Sequence, residues 1–315
     1  MRLLAPAGNV QSAINVLNAG ADDIYLGALS PYLYNYSFNG RSTYNDHGNR
    51  IQADYNELKE IVNIAHSKGA SVNFLANIPF INNCDSDTDN YEKSIIGMFE
   101  EYIESGLEAG IDTIVVGDLG ALKILKRMQI KLPIVASSYF EAQNLYSVKF
   151  LEEMGVQRII LSYQVLLDEI INIINSTSLQ IEVFGHGGCS FYVGSCNLFH
   201  DAGEGGKEGI NVGYPCRGMY CVSIDGNMLE RKRILDSFKI CSFCQITRLI
   251  KAGVHMLKIV GRDLDLEFMT QVVQTYRRGI DLACNGEEPA AERSEILPVW
   301  WVKMWCDSGK RCRYQ

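Results

Sequence analysis

No stretch of this 315-residue chain approaches the roughly 20 consecutive apolar residues that span a bilayer. The start, MRLLAPAGNV, has no charged region leading into a long apolar segment and a cleavage site, so a secretory leader is not expected. Both absences point to a cytoplasmic protein with no membrane span. A basic surplus is missing as well: 29 Lys and Arg stand against 37 Asp and Glu, a net charge of −8. That argues against a broad basic face for gripping phosphate backbones, so nucleic acid is the unlikely partner, although net charge is silent about local patches. Hydrolase signatures are absent too, since neither H-E-x-x-H nor G-x-S-x-G occurs. The turn after the first apolar run, APAGN, is not the G-x-G-x-x-G of a dinucleotide-binding fold.

What the chain does carry is cysteine. Six of its ten cysteines fall between positions 189 and 244. Thiols gathered without a secretory leader read better as metal ligands than as a disulfide framework. Cys189 and Cys196 in CSFYVGSC, Cys216 in YPCRG and Cys241 in ICSFC make a four-thiolate set. Their spacing suits a [4Fe–4S] cluster and a tetrahedral zinc site about equally, with inert buried cysteines a third reading. Cys244 forms a C-x-x-C with Cys241 and is an alternative ligand. Cys84, Cys284, Cys306 and Cys312 read as structural, though the last two flank DSGKR and could clip a turn or a metal.

The organisation lies in a recurring phrase of helix, glycine and short apolar strand. It appears as GADDIYLG, GASVNFLA, GIDTIVVGD, GVQRIILS and GVHMLKIVG. The glycine suits the left-handed position ending a helix, and the apolar run suits a parallel strand buried on both faces. Leu3 to Ala5, Pro133 to Ser137 and Leu179 to Phe184 bring the strands to eight. Helical periodicity separates most of them, as in Glu57 to Lys68, Tyr91 to Ala109 and Asp168 to Ile174. Eight strands alternating with helices predict an α/β fold of the (β/α)8 TIM-barrel type, with a Cys-rich insertion between strands 7 and 8. The barrel is expected over 1–286, with its insertion at 185–244, and 287–315 as a C-terminal tail. Inside the insertion, MYCVSIDGNMLERKRIL predicts a hairpin turning at Asp225-Gly226.

These residues resemble the collagenase-like peptidase family catalogued as U32. LLAPAGN is similar to its opening strand and turn, HGGCSFYVGSC to its His-Gly and C-x6-C segment, and PCRG to its P-C-R motif. The stretch ICSFCQITRLIKAGVHMLKIVGR resembles the family's Cys, helix and L-K-I-E-G-R, and its register selects Cys241 over Cys244. The resemblance covers about residues 1 to 284. It implies a barrel-like fold and, in some branches, a [4Fe–4S] cluster on four cysteines; by register these are Cys189, Cys196, Cys216 and Cys241. Those branches hydroxylate RNA bases or a ubiquinone precursor without oxygen, while the family name records metal-dependent peptidases. Two departures matter. The acid of L-K-I-E-G-R is Val260 here, and the loop after the second strand is only loosely similar.

The expected function is therefore an iron–sulfur-dependent, oxygen-independent hydroxylase or oxidoreductase acting on a small organic or lipid-like substrate. A metal-dependent peptidase acting on a peptide, or a non-catalytic subunit paired with a homologous U32 subunit, are the alternatives. Polar residues at strand C-termini are the ones a barrel substrate meets. His186, Asp118, Tyr163, Lys258 and Arg262 are the catalytic candidates, with Ser137 and Ser138 helping to outline a polar pocket. Lys258 and Arg262 could hold an anionic substrate, and Arg217 could neutralise a cluster's charge. His200, Asp201 and Glu204 could bind a divalent ion, a solvated acidic loop being the plainer reading.

Overall fold

The computed structural model describes residues 1–29, 52–77, 95–187, 219–232, 240–261, 264–291, 293–307 and 311–314. Eight parallel strands close into a barrel: β1 (Arg2–Pro6), β2 (Asp23–Leu26), β3 (Ser71–Ala76), β4 (Thr113–Val116), β5 (Ile134–Ala136), β6 (Arg158–Ile160), β7 (Gln180–His186) and β10 (Met256–Ile259). Neighbours pair in sequence order, and β1 meets β10 through Arg2↔Met256 and Leu4↔Lys258 to close the ring. All eight expected strands are present. Between β7 and β10 lies an antiparallel hairpin, β8 (Tyr220–Ile224) and β9 (Asn227–Lys232). It turns at Asp225 and Gly226, both at positive φ as a primed turn requires.

The helices around the barrel are α1 (Val10–Asn18), α2 (Tyr55–Ser67), α3 (Ile95–Ala109), α4 (Leu119–Arg127), α5 (Leu145–Glu153), α6 (Leu167–Ser176), α7 (Ile246–Ala252) and α8 (Leu266–Cys284). The five glycines of the recurring phrase all sit at positive φ. Gly253 shows why: its N–H reaches Ile250 O and Leu249 O at the end of α7, a left-handed cap that a side chain would strain.

Two cores result. An outer one fills the space between strands and helices, and a lumen core holds Leu4, Tyr25, Leu75, Val115, Val135, Ile160, Phe184, Met256 and Val260. Below the lumen core lies an ionic layer. Arg2 pairs with Asp23 at 2.6 Å, and Glu182 lies 3.0 Å from Arg158 Nε and 3.4 Å from Lys258 Nζ. The two buried pairs to Glu182 contribute less to net stability than their contacts suggest, because desolvation offsets attraction.

The segment beyond Glu287 returns to the barrel. Ile296, Leu297, Trp301, Trp305 and Tyr314 are buried in the outer core, Trp301 at 0% exposure. No helix among the described residues is long and apolar enough to cross a membrane.

Candidate functional site at the barrel mouth

Cys241 lies at the C-terminal end of β7, on the face where barrel enzymes place their chemistry. Its backbone bridges to His186 on one side and to Cys312 on the other. Ile240 and Cys241 donate their N–H groups to Arg311 O at 2.7 and 3.0 Å, and Arg313 N–H returns to Cys241 O at 2.8 Å. Gly187, at positive φ, lets the chain leave β7 beside the Val260 carbonyl, where any Cβ would collide.

Cys241 is 7% exposed and carries a free thiol, as do Cys221, Cys244 and Cys284. Burial pushes its pKa up to about 11, so without a metal it holds its proton. The Tyr276 hydroxyl lies 3.6 Å from its sulfur and donates to Gly185 O at 2.6 Å. Cys244 lies a short turn away, half-buried in the 3-10 segment Phe243–Gln245, and packs on the outer core.

His186 ends β7 as expected but does not face the lumen. Strand alternation from Glu182 and Phe184 would aim it inward. Pairing with β10 instead slips, Lys258 meeting Phe184 and Ile259 meeting His186. The imidazole enters a cage of Tyr276, Trp301 and Trp305, with ring centroids 5.7, 4.7 and 4.7 Å away. Burial first, and the Arg313 charge second, lower its pKa to about 3, and its Nδ1 has no hydrogen-bond partner among the described residues. An imidazole neutral at ordinary pH suits packing or hydrogen bonding better than proton transfer at neutral pH.

The other candidates separate. Tyr163 stacks on Phe184 at 3.6 Å between centroids, and the Arg313 guanidinium lies 4.8 Å over the Tyr163 ring. Asp118 accepts from Ala121 N at 2.9 Å and so caps α4. Ser137 caps the short turn Ser138–Phe140 in the same way. Lys258 points into the lumen toward Glu182, with Nζ 4.3 Å above the Tyr25 ring. Arg262, Cys84, Cys189, Cys196, Cys216, Arg217, His200, Asp201 and Glu204 lie outside the described residues. Among the described residues, no three His, Cys, Asp or Glu side chains gather as a metal site.

Sequence reasoning missed Arg313, which donates Nη2 to Gly187 O at 2.6 Å and is 2% exposed. It also passed over Tyr314, whose hydroxyl donates to Phe184 O at 3.0 Å. Nothing local in the tail marks either residue as part of a barrel mouth. Asn77, just past β3, was missed too, although the alternation of Asn73, Leu75 and Asn77 offered a signal.

The family model for peptidase family U32 matches residues 8–301. Among curated proteins, the chain is 26% identical to a tRNA hydroxylation protein P of Escherichia coli K12, over 90% of this chain and 69% of that one. It is 27% identical to a 23S rRNA 5-hydroxycytidine synthase of the same organism, over 89% and 39%. It is 23% identical to a collagenase of Porphyromonas gingivalis, over 90% and 66%. The chain thus spans from 39% to 69% of the length of these relatives. A solved structure, the U32 peptidase Mk0906, shares the fold with a TM-score of 0.53 at 15% identity, over 83% of this chain and 93% of that one. The expectation that nucleic acid is an unlikely partner finds no support here, because two of these relatives are named for tRNA and rRNA. It rested on net charge, which does not see a local patch.

Proposed function

The chain belongs to peptidase family U32, and from that footing we propose that it hydroxylates a nucleobase in RNA without oxygen, using a thiolate-held iron–sulfur centre at the barrel mouth. The observation that carries the reading is Cys241: a free, buried thiol at the C-terminal end of β7, braced on both sides by backbone pairing. The described surroundings fit such a centre. Thiolate is the usual ligand of iron–sulfur clusters, a hydroxyl stands 3.6 Å from the sulfur, and His186 Nδ1, without a partner among the described residues, lies in the neighbouring cage. Cys189, Cys196 and Cys216 complete the proposed ligand set, with zinc as the alternative metal. When bound, the cluster supplies electron transfer at a potential set by its hydrogen bonds and burial.

This chain's own residues supply the setting. Trp301, Trp305 and Tyr276 exclude water around His186, and the Arg313 charge lies at the same end of β7. Relatives named for tRNA and rRNA hydroxylation favour RNA over the small or lipid-like substrate expected from the sequence.

Purification without oxygen, followed by iron, sulfide and zinc analysis, tests the reading. Equal iron and sulfide, largely lost in Cys241→Ser, is the expected result. Mass spectrometry of RNA from cells with and without the protein should then show one nucleoside gaining an oxygen. Zinc at one equivalent without iron would sink the cluster, and unchanged RNA together with chelator-sensitive cleavage of gelatin would favour the peptidase.

A further inference from the structure

Asn73 on β3 and Asn77 just past its end fall on one face by alternation, and they differ in their partners. Alternation places Asn73, Leu75 and Asn77 toward the lumen, and Leu75 belongs to the lumen core. Asn73 is 1% exposed; its Nδ2 donates to Ile24 O at 3.2 Å, and its Oδ1 accepts from Thr113 Oγ1 at 2.7 Å and from Arg158. Asn77 is 8% exposed, and its Oδ1 has no hydrogen-bond partner among the described residues. A buried amide oxygen without a protein partner is uncommon in folded proteins, and it invites a ligand as the partner.

The position makes a ligand the fitting partner. Asn77 follows the C-terminal end of β3, at the mouth. The same alternation puts Ser137, after β5, and Ser162, after β6, at that level, at 2% and 6% exposure. Beneath them lies the apolar floor of Leu75, Val115, Val135 and Ile160. An apolar floor with a few polar groups on its rim suits a flat heteroaromatic ring, held by its face and read along its edge.

We propose that Asn77 is a specificity-determining residue that hydrogen-bonds the edge of a pyrimidine base in the barrel mouth. Its Oδ1 accepts from the exocyclic amine of cytosine, and a turned amide would offer Nδ2 to the O4 of uracil. The assignment deepens the RNA-hydroxylase reading and rests on it.

Binding of cytidine and uridine monophosphates to the full chain, measured by titration calorimetry for wild type, Asn77→Ala and Asn77→Asp, tests it. Asn77→Ala should weaken both ligands by about tenfold, the loss of about one hydrogen bond. Asn77→Asp, which only accepts, should hold cytidine within a few-fold and weaken uridine at least tenfold. Thermal melting supplies a second readout: Asn77→Ala should melt no lower than wild type, while Asn73→Ala should melt lower. Unchanged affinity in Asn77→Ala, equal treatment of the two bases by Asn77→Asp, or a destabilised Asn77→Ala overturns the assignment. So does failure of the wild type to bind either nucleotide. In each case the hydroxylase reading still stands or falls on iron content and RNA mass spectrometry.

Discussion

His186 shows how much one residue of register decides. The sequence placed it correctly at the end of a strand beside the cysteines, and alternation alone would have made it a lumen catalyst. The slip opposite β10 turns it outward, because a single extra residue exchanges the two faces of a strand. Local pattern carries no sign of that slip, so the role was legible only as a position. The cage has a measurable signature. The folded pKa of about 3 lies below the ordinary 6.5, so the stability from keeping His186 neutral is complete above pH 6.5. As pH falls from 6.5 toward 3, the unfolded chain takes the proton first, and stability drops by about 1.4 kcal/mol per pH unit. His186→Phe fills the cage without titrating. Urea unfolding between pH 7 and pH 4 should show a shallower acid decline in that variant; parallel slopes would mean that His186 is not held neutral.

At the level of elements, the eight strands and their connecting helices were readable because each signal is local. Buried parallel strands are short continuous apolar runs, and the glycine before each of five of them ends a helix. Side-chain roles at strand ends were less readable, since a carboxylate there serves equally as a catalyst or as a cap. Asp118 is the example: it accepts from Ala121 N at the start of α4. Replacing it with Ala should cost about 1 kcal/mol in denaturant unfolding, with Asn nearly neutral, and should leave metal content unchanged. Loss of metal or of RNA hydroxylation at full stability would instead return Asp118 to the chemistry.

For the whole molecule, the least legible feature was the destination of the segment after Glu287. Its composition shift was plain, but composition does not say where a segment lands. Trp301, Trp305 and residues 311–314 meet β7 and Cys241 across long stretches of chain, and no periodicity records such contacts. Trp301→Ala should lower unfolding stability by about 3–5 kcal/mol. It should also reduce retained iron in anaerobically purified protein, although tryptophan is no ligand. Full iron retention would separate the cage from the proposed metal centre.

The pairing of Cys241 with Arg311 and Arg313 also imposes an order on biosynthesis. A ribosome completes Cys241 well before the residues that brace it, so the nascent chain exposes an unsupported thiol while translation continues. In the proposed reading, metal delivery belongs after residue 314 has emerged. A chain stalled within the 293–314 segment would leave Cys241 without its final support.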